Sequence, residues 1–322
     1  MKERYPMNNI RFNIFQHKED LLSINNSIFF HSKILFEVYE QCPKMRPLMI
    51  VGCTEEGDAV CQLLAVVRQY HCRIYGEGWY APQMTGQEEQ LFKLMLDLLL
   101  KHLGKSVLFT EISNLKSKMF GYKVLRTLGF TPVKWMSIHN SLHNKSPEER
   151  LPEKTRQKID HALMRGATAH RVSDEEELKA FCKLMNTHHL FKPRKYIPED
   201  LFFKMIDKIE EGELLVTKIK EKVIGCCAIA YSEKNAYLWY SAFLRKTYLK
   251  YHPDTLTVWS AIQTAYRRGC SHVYFMDVGL PYMKNTFREF IMSFGGKPVS
   301  TYRWFYTPYS WINKCLYHLF CS

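Results

Sequence analysis

The sequence predicts an α/β (α+β) fold in which two tandem halves each place helices against a mixed β-sheet. Short apolar runs rich in β-branched and aromatic residues alternate with amphipathic helical patterns along the chain. The order of these elements in the first half recurs in the second half. The segment 124–133 also aligns with 290–299, because both share spaced apolar positions, a glycine and a closing Pro-Val pair.

In the first half, apolar runs bounded by polar turns predict strands, and Gly104 ends the pattern of a long amphipathic helix. The turn at 55–58 predicts a hairpin between two of the strands. The predicted strands are 12–15, 48–53, 59–70, 79–84, 107–112 and 130–139, and the predicted helices are 28–40, 87–103 and 118–128.

The second half is predicted to open with a basic helix and to repeat the same order of strands and helices. Asp254 is a good N-cap for a helix with apolar spacing, and Gly269 is a good stop for it. The predicted strands are 169–172, 214–219, 222–231, 236–244, 272–278 and one from 297 onward, and the predicted helices are 151–166, 174–188, 198–211, 255–268 and 283–294.

Composition limits the classes of protein to consider. The chain of 322 residues predicts two domains at 1–145 and 146–322, the second beginning with a helical segment at 150–211. Ten cysteines without a C-x-x-C pair, and a charged start to the chain, predict a cytoplasmic protein with no structural metal. The net charge of +13 favours a polyanionic partner, such as nucleic acid, an anionic membrane or a phosphate-rich cofactor.

Several motifs in the second half resemble those of the FemABX family and of GNAT acyltransferases. The basic segment 151–166, with spaced arginines and a final glycine, resembles the region that opens the second FemABX domain. The strand end at 277–279 and the Phe-Gly-Gly turn at 294–296 resemble two further motifs of that family. The resemblance implies two tandem GNAT-like acyltransferase domains, each a mixed sheet flanked by helices, that transfer an acyl group to an amine.

Members of this family use either aminoacyl-tRNA or an acyl thioester as donor. Many have Phe-Lys two residues before the Phe-Gly close, where this chain has Phe290 and Ile291; the nearby cation is Arg288. The second half also lacks the long coiled-coil insertion of some tRNA-dependent members. Both departures favour a thioester donor, most simply acyl-CoA, and leave aminoacyl-tRNA open as the alternative.

In a GNAT fold the donor enters between two strands that splay apart, which here are 236–244 and 272–278. Its phosphates would meet backbone N–H groups at the start of the next helix, near Asp254 and Thr255. The cations that precede this helix are Arg245, Lys246 and Lys250. The glycine-containing phosphate loop of ordinary CoA-binding GNAT proteins is missing, so a solvated basic loop is the alternative.

Acyl transfer to an amine needs proton removal and stabilisation of the developing oxyanion. Asp277, at a strand end, is the candidate base or substrate anchor, and a turn cap is its alternative role. Tyr240 and Ser241 are candidates for binding the oxyanion or protonating the leaving group, with core packing as the alternative. Arg288 is the candidate for binding a carboxylate or phosphate of the acceptor.

The first half has matching positions. Glu111 ends the strand that corresponds to the one before Asp277, and Trp79 and Tyr80 line the corresponding splay. A phosphate loop is missing there too. We therefore expect the first half to bind the acceptor or to be structural, rather than to catalyse.

The C-terminal stretch 302–320 is unusually aromatic and carries Arg303 and Lys314. Tryptophan and tyrosine favour membrane interfaces, so this stretch is a candidate for docking on an anionic inner-membrane face, with packing on its own domain as the alternative. The sequence thus predicts a cytoplasmic N-acyltransferase that uses an acyl thioester and an amine, with an envelope or lipid precursor as one candidate acceptor. A non-catalytic protein bound peripherally to a membrane is the rival interpretation.

Overall fold

The computed structural model describes residues 9–22, 24, 26–143, 145–189, 197–276 and 278–321. These residues form two compact units. The first unit contains the chain up to Trp135 together with the chain from Ser300 onward, and the second is Met136–Val299. The predicted division into two GNAT-like domains at 1–145 and 146–322 stays a prediction.

The elements follow each other in the predicted alternation. In chain order up to residue 141 they are β1 (Arg11–Phe15), α1 (Lys33–Glu40), β2 (Arg46–Cys53), β3 (Ala59–Arg68), β4 (His71–Tyr75), β5 (Trp79–Tyr80), α2 (Glu88–Leu103), β6 (Phe109–Ser113), α3 (Tyr122–Thr127) and β7 (Thr131–Ser141). The remaining elements are α4 (Pro147–Arg150), α5 (Glu153–Met164), β8 (Ala167–Arg171), α6 (Glu175–His189), α7 (Asp200–Ile206), β9 (Gly212–Ile219), β10 (Lys222–Ser232), β11 (Asn235–Phe243), α8 (Pro253–Arg267), β12 (His272–Phe275), α9 (Thr286–Met292), β13 (Lys297–Tyr306) and α10 (Ser310–Cys321).

The first unit builds its core on one face of a sheet ordered β1-β2-β3-β4-β6-β13. Helix α2 covers this face because its apolar residues recur at helical spacing, and Gly104, at φ +52°, follows its last residue. Ile74 of β4, Ile112 of β6 and Trp304 of β13 join the α2 side chains in one buried cluster. The strands β4 and β6 are parallel, whereas β6 and β13 are antiparallel.

The second unit has a sheet ordered β7-β12-β11-β10-β9-β8, in which β11 and β12 are the parallel pair. Helix α8 crosses this sheet and is almost entirely buried. Gly225 of β10 permits the close approach, since a Cβ there would lie 2.4 Å from Thr257 Oγ1 and 3.1 Å from the Pro253 carbonyl oxygen. The sheet therefore fixes the position of the first turn of α8.

The structure corrects several predicted boundaries. Strand β4 was not predicted, because it is short and follows a turn at Gln69 that takes a φ of +51° without a glycine. The predicted helix 28–40 begins only at Lys33, where Ser32 caps it by accepting a hydrogen bond from Leu35 N. The predicted helix 283–294 is shorter in the structure, at Thr286–Met292. It begins later because the Asn285 side chain caps it by accepting hydrogen bonds from Phe287 N and Arg288 N.

Within the described part of the chain, no helix is both long enough and apolar enough to cross a membrane. The same residues contain no group of three or more histidine, cysteine or acidic side chains arranged to hold a metal ion.

Candidate active site

A gap opens between β11 and β12 in the second unit. The two strands pair in parallel over four residue pairs, from Asn235 opposite His272 to Leu238 opposite Phe275. Strand β12 ends there, whereas β11 continues to Phe243. In the described part of the chain, residues 239–243 therefore have no pairing with β12. The two strands thus separate after Leu238, as the sequence predicted.

A β-bulge marks the point where the two strands separate. On the other side of β11, the register changes from Ala228 opposite Tyr240 to Ile229 opposite Leu238, which leaves Trp239 as the extra residue. A bulge bends its strand and increases the local twist. Because pairing with β12 ends at the same place, the bulge directs the last part of β11 away from β12. The sequence gives no clear signal for it beyond the adjacent aromatic residues Trp239 and Tyr240.

Tyr240 and Ser241 both lie in this last part of β11 and are half-buried. The Tyr240 ring packs edge-on against Phe202 and Phe203 of α7, with ring centroids 6.1 and 5.6 Å apart, and stacks on Trp239. Tyr240 thus has a clear packing role, and its part in chemistry stays a prediction. Ser241 lies opposite Cys227 of β10.

The start of α8 carries an acid among the predicted donor-binding cations. Asp254 is buried, accepts a hydrogen bond from Thr255 N at 2.9 Å and pairs with Arg245 at 3.2 Å. A carboxylate is stabilised at a helix N-terminus, so Asp254 occupies the position expected for a phosphate. Lys246 and Lys250 are exposed. Asp254 and Thr255 organise the helix start, and binding of phosphates by Arg245, Lys246 and Lys250 stays a prediction.

The segment that follows β12 is held by α9. Asp277 lies outside the described residues. Just after it, Asn285 Nδ2 donates to the Val278 carbonyl at 3.0 Å. The Arg288 guanidinium donates at 2.6 Å to the carbonyls of Leu280 and of Met283. Arg288 thus holds the chain beside Asp277, and its predicted contact with the acceptor remains untested.

Two residues that were not predicted for the site, Phe243 and His188, lie close to each other where β11 ends. The Phe243 ring is 6.2 Å from the His188 ring of α6 and 6.4 Å from the Phe290 ring of α9, measured between centroids. His188 belongs to a cationic loop sequence, but only the fold brings it beside the splayed strand. The sequence alone left His188 as a surface or substrate-contact histidine, and its position beside Phe243 was not predicted.

In the first unit, β4 and β5 both pair with β3, and a bulge lies between them. Strands β4 and β6 pair until Ser113, and Trp79 and Tyr80 resume pairing with β3 after the interruption. The buried His31 imidazole lies at this bulge, 3.0 Å from Leu64 N and 3.1 Å from Gly78 N. Burial lowers the pKa of His31 to about 3, against the opposing effect of the Tyr75 carbonyl. The neutral imidazole has one acceptor nitrogen, so it can accept a hydrogen bond from only one of these two N–H groups at a time.

Glu111 is buried among cations of the first unit. Its carboxylate lies 3.1 Å from Arg303 Nη1, 3.3 Å from Arg73 Nε and 3.1 Å from His71 Nε2. Burial raises the pKa of Glu111, but Arg303 and then Arg73 outweigh it and hold the pKa well below its ordinary value. The Arg303 guanidinium also lies 4.0 Å from the centre of the Trp135 ring. These contacts favour a structural role for Glu111.

Known protein families and solved structures share features with this chain. Residues 152–284 match the family model of the Acetyltransferase (GNAT) domain. No curated protein matches the chain by sequence. Among solved structures, FemX aligns with 92% of this chain and 95% of its own at 14% identity and a TM-score of 0.62. L-PGS from Bacillus licheniformis aligns with 89% and 91% at 12% identity and a TM-score of 0.60.

A tandem GNAT protein from the clavulanic acid biosynthesis pathway aligns with 86% of this chain and 88% of its own, at 10% identity and a TM-score of 0.55. The predicted resemblance, the fold class and the enzyme class are confirmed. The chain is therefore an acyltransferase with a GNAT domain at residues 152–284, in a fold that it shares with FemX and with a tandem GNAT protein.

Proposed function

We propose that the second unit transfers an acyl group from an acyl-CoA thioester to the nitrogen of an amine. The observation that carries this proposal is the run of five β11 residues, 239–243, beyond the last residue pair with β12. Where two parallel strands diverge, the main-chain N–H and C=O groups of the longer strand can pair with an extended chain that enters between them. The two amides of the pantetheine arm of CoA have the groups to pair with such a strand.

The donor phosphates would lie toward the cations that follow β11. Arg245, Lys246 and Lys250 come within nine residues of Phe243 and are exposed. Arg245 is 62% exposed although it pairs with the buried Asp254, so one side of its guanidinium faces solvent. Because Asp254 takes the helix N-terminus, we expect the diphosphate to bind side chains rather than the first N–H groups of α8.

The reaction forms an N–C bond and breaks a C–S bond. The neutral amine attacks the thioester carbonyl, and the oxygen takes the negative charge until the thiolate leaves. A base removes one proton from the nitrogen, and the thiolate accepts one proton. Asp277 is the proposed base, and Tyr240 or Ser241 is the proposed donor to the oxyanion or the thiolate. His188, beside Phe243, is a second candidate for proton removal.

The acceptor is proposed to be an amine on an envelope or lipid precursor. Support comes from the likeness to L-PGS and FemX, together with the net charge of +13. Within the second unit, Arg288 is the proposed acceptor contact. Aminoacyl-tRNA remains the alternative donor, because FemX shares the fold.

A thermal-shift experiment tests the choice of donor. CoA at one hundred times its dissociation constant would stabilise the folded protein by about 2.7 kcal/mol, which corresponds to a Tm increase of roughly 5–10 °C for a unit of this size. Replacing Arg245, Lys246 and Lys250 by alanine should remove most of the increase.

A matched control replaces three exposed lysines of the same unit, Lys183, Lys208 and Lys234, by alanine and should keep the increase. A Tm that responds to aminoacyl-tRNA and not to CoA would replace the thioester donor by the tRNA donor. If neither raises the Tm, and no amine becomes acylated, the proposed function is wrong.

A further inference from the structure

Helices α3 and α10 of the first unit together form a surface whose composition is unlike that of the rest of the chain. They lie beside each other, because the Arg126 guanidinium of α3 is 5.0 Å from the Tyr317 ring centre of α10. Just before α10, Tyr302 of β13 packs against Tyr122 of α3, with centroids 5.8 Å apart. We call this pair of helices, with the turn that precedes α3, the α3–α10 surface.

The α3–α10 surface is basic and lacks acidic residues. The segment 112–135 contains no aspartate or glutamate, and neither does the segment 300–322. The exposed cations on the two helices are Lys123, Arg126 and Lys314. The other cations of the two segments are Lys116, Lys118, Lys134 and Arg303. Arg303 pairs with Glu111, and Glu89 of α2 accepts a hydrogen bond from Gly121 N before α3. The positive charge of this surface therefore rests on the exposed cations Lys123, Arg126 and Lys314.

Large apolar side chains are exposed on the same surface. Trp311 of α10 is 66% exposed, Leu319 is 73% exposed, and Met119 in the turn before α3 is 61% exposed. Trp311 and Leu319 are eight residues apart, which places them on one face of the helix. Of the six tryptophans, all within the described residues, Trp311 alone is exposed. An apolar helical face left in water is typical of a surface that another phase or partner covers.

We propose that the α3–α10 surface docks on an anionic lipid bilayer, with α10 lying in the plane of the interface. Tryptophan and leucine would enter the boundary between headgroups and acyl chains, while Lys314 and the α3 cations contact anionic headgroups. A single-stranded nucleic acid also binds basic and aromatic surfaces, but it gives no partner to Leu319 or Met119. The combination of exposed aliphatic side chains and exposed cations favours the bilayer.

Vesicle co-sedimentation tests this docking. The full-length protein should bind vesicles made of equal parts phosphatidylglycerol and phosphatidylcholine, and should bind pure phosphatidylcholine at least tenfold more weakly. The double variant Trp311→Ser/Leu319→Ser should lower binding to the anionic vesicles by about tenfold or more, since each buried apolar side chain contributes to partitioning. The variant Lys123→Glu/Arg126→Glu should weaken binding similarly, and more so at low salt.

The control variant Tyr70→Ser/Met164→Ser removes two side chains that are 71% and 78% exposed elsewhere, and it should bind as the unchanged protein does. Tryptophan emission gives a second readout, because a blue shift on vesicle binding should disappear in Trp311→Phe. The CoA-induced increase in Tm should persist in all of these variants, which separates this proposal from the proposed function. Equal binding by every variant, equal binding to neutral vesicles, or binding to polyuridine but not to vesicles would overturn it.

Discussion

Replacing Glu111 by glutamine separates a structural role from substrate binding. The substitution keeps the shape of the side chain but removes the one negative charge that faces Arg303, Arg73 and His71. Breaking a buried ion pair by removing one partner costs about 3–5 kcal/mol, and Arg303, whose side chain is 11% exposed, is the most buried cation that would lose its carboxylate. For a unit of this size the corresponding decrease in Tm is roughly 6–20 °C.

The assay is urea or thermal unfolding of the full-length protein, followed by far-ultraviolet circular dichroism. Asp97→Asn is the control, because the Asp97–Lys101 pair is also close, at 2.6 Å, but lies at the surface. Loss of such an i,i+4 pair costs about 0.5 kcal/mol or less. Glu111→Gln should leave CoA binding intact. A loss of stability below about 1 kcal/mol, with acyl transfer abolished, would refute the structural role and favour contact with substrate.

Acidification should act through the same carboxylate. The folded state holds the pKa of Glu111 below its ordinary value of 4.5. The ionised carboxylate therefore stabilises the protein at neutral pH, and this contribution is lost as the pH falls below about 4.5. In Glu111→Gln, the dependence of stability on pH below this value should become shallower than in the unchanged protein.

The remaining predictions concern His31 and Gly225. His31→Ala leaves Leu64 N and Gly78 N without the imidazole and should cost about 2–5 kcal/mol in urea unfolding. Because burial lowers the His31 pKa from 6.5 to about 3, stability should fall as the pH decreases across that interval, and His31→Ala should lose that part of the dependence. Gly225→Ala should lower the free energy of unfolding by about 1–3 kcal/mol and reduce the CoA-induced Tm increase, because its Cβ would meet Thr257 Oγ1. Adding Thr257→Ala should restore part of the stability and part of the Tm increase.

Local sequence patterns were enough to predict the elements that form the slot. The apolar spacing and flanking Asp254 and Gly269 predicted α8, which the structure has at Pro253–Arg267. The predicted strands 236–244 and 272–278 correspond to the parallel pair, although β12 ends at Phe275. These elements are readable because their periodicity and their end signals depend on neighbouring residues only.

Features that depend on distant residues could not be read in the same way. The bulge at Trp239 arises from the register of β11 with β10, and the sequence near Trp239 has no turn residue that would predict it. Arg303 reaches Glu111 from the far end of the chain because β13 pairs with β6. Nothing in the sequence near Glu111 indicates that partner, so its assignment to substrate binding rested on strand position alone.

Hydrogen–deuterium exchange with and without acetyl-CoA tests the proposed donor site most directly. Pairing of the donor with the part of β11 beyond its last pair with β12 should slow exchange at residues 239–243, and phosphate binding should slow it at 245–250. Exchange in β4 and β5 of the first unit should not change. Protection confined to the first unit, or no protection at 239–243 at saturating acetyl-CoA, would contradict the slot as the place where the acyl group is bound.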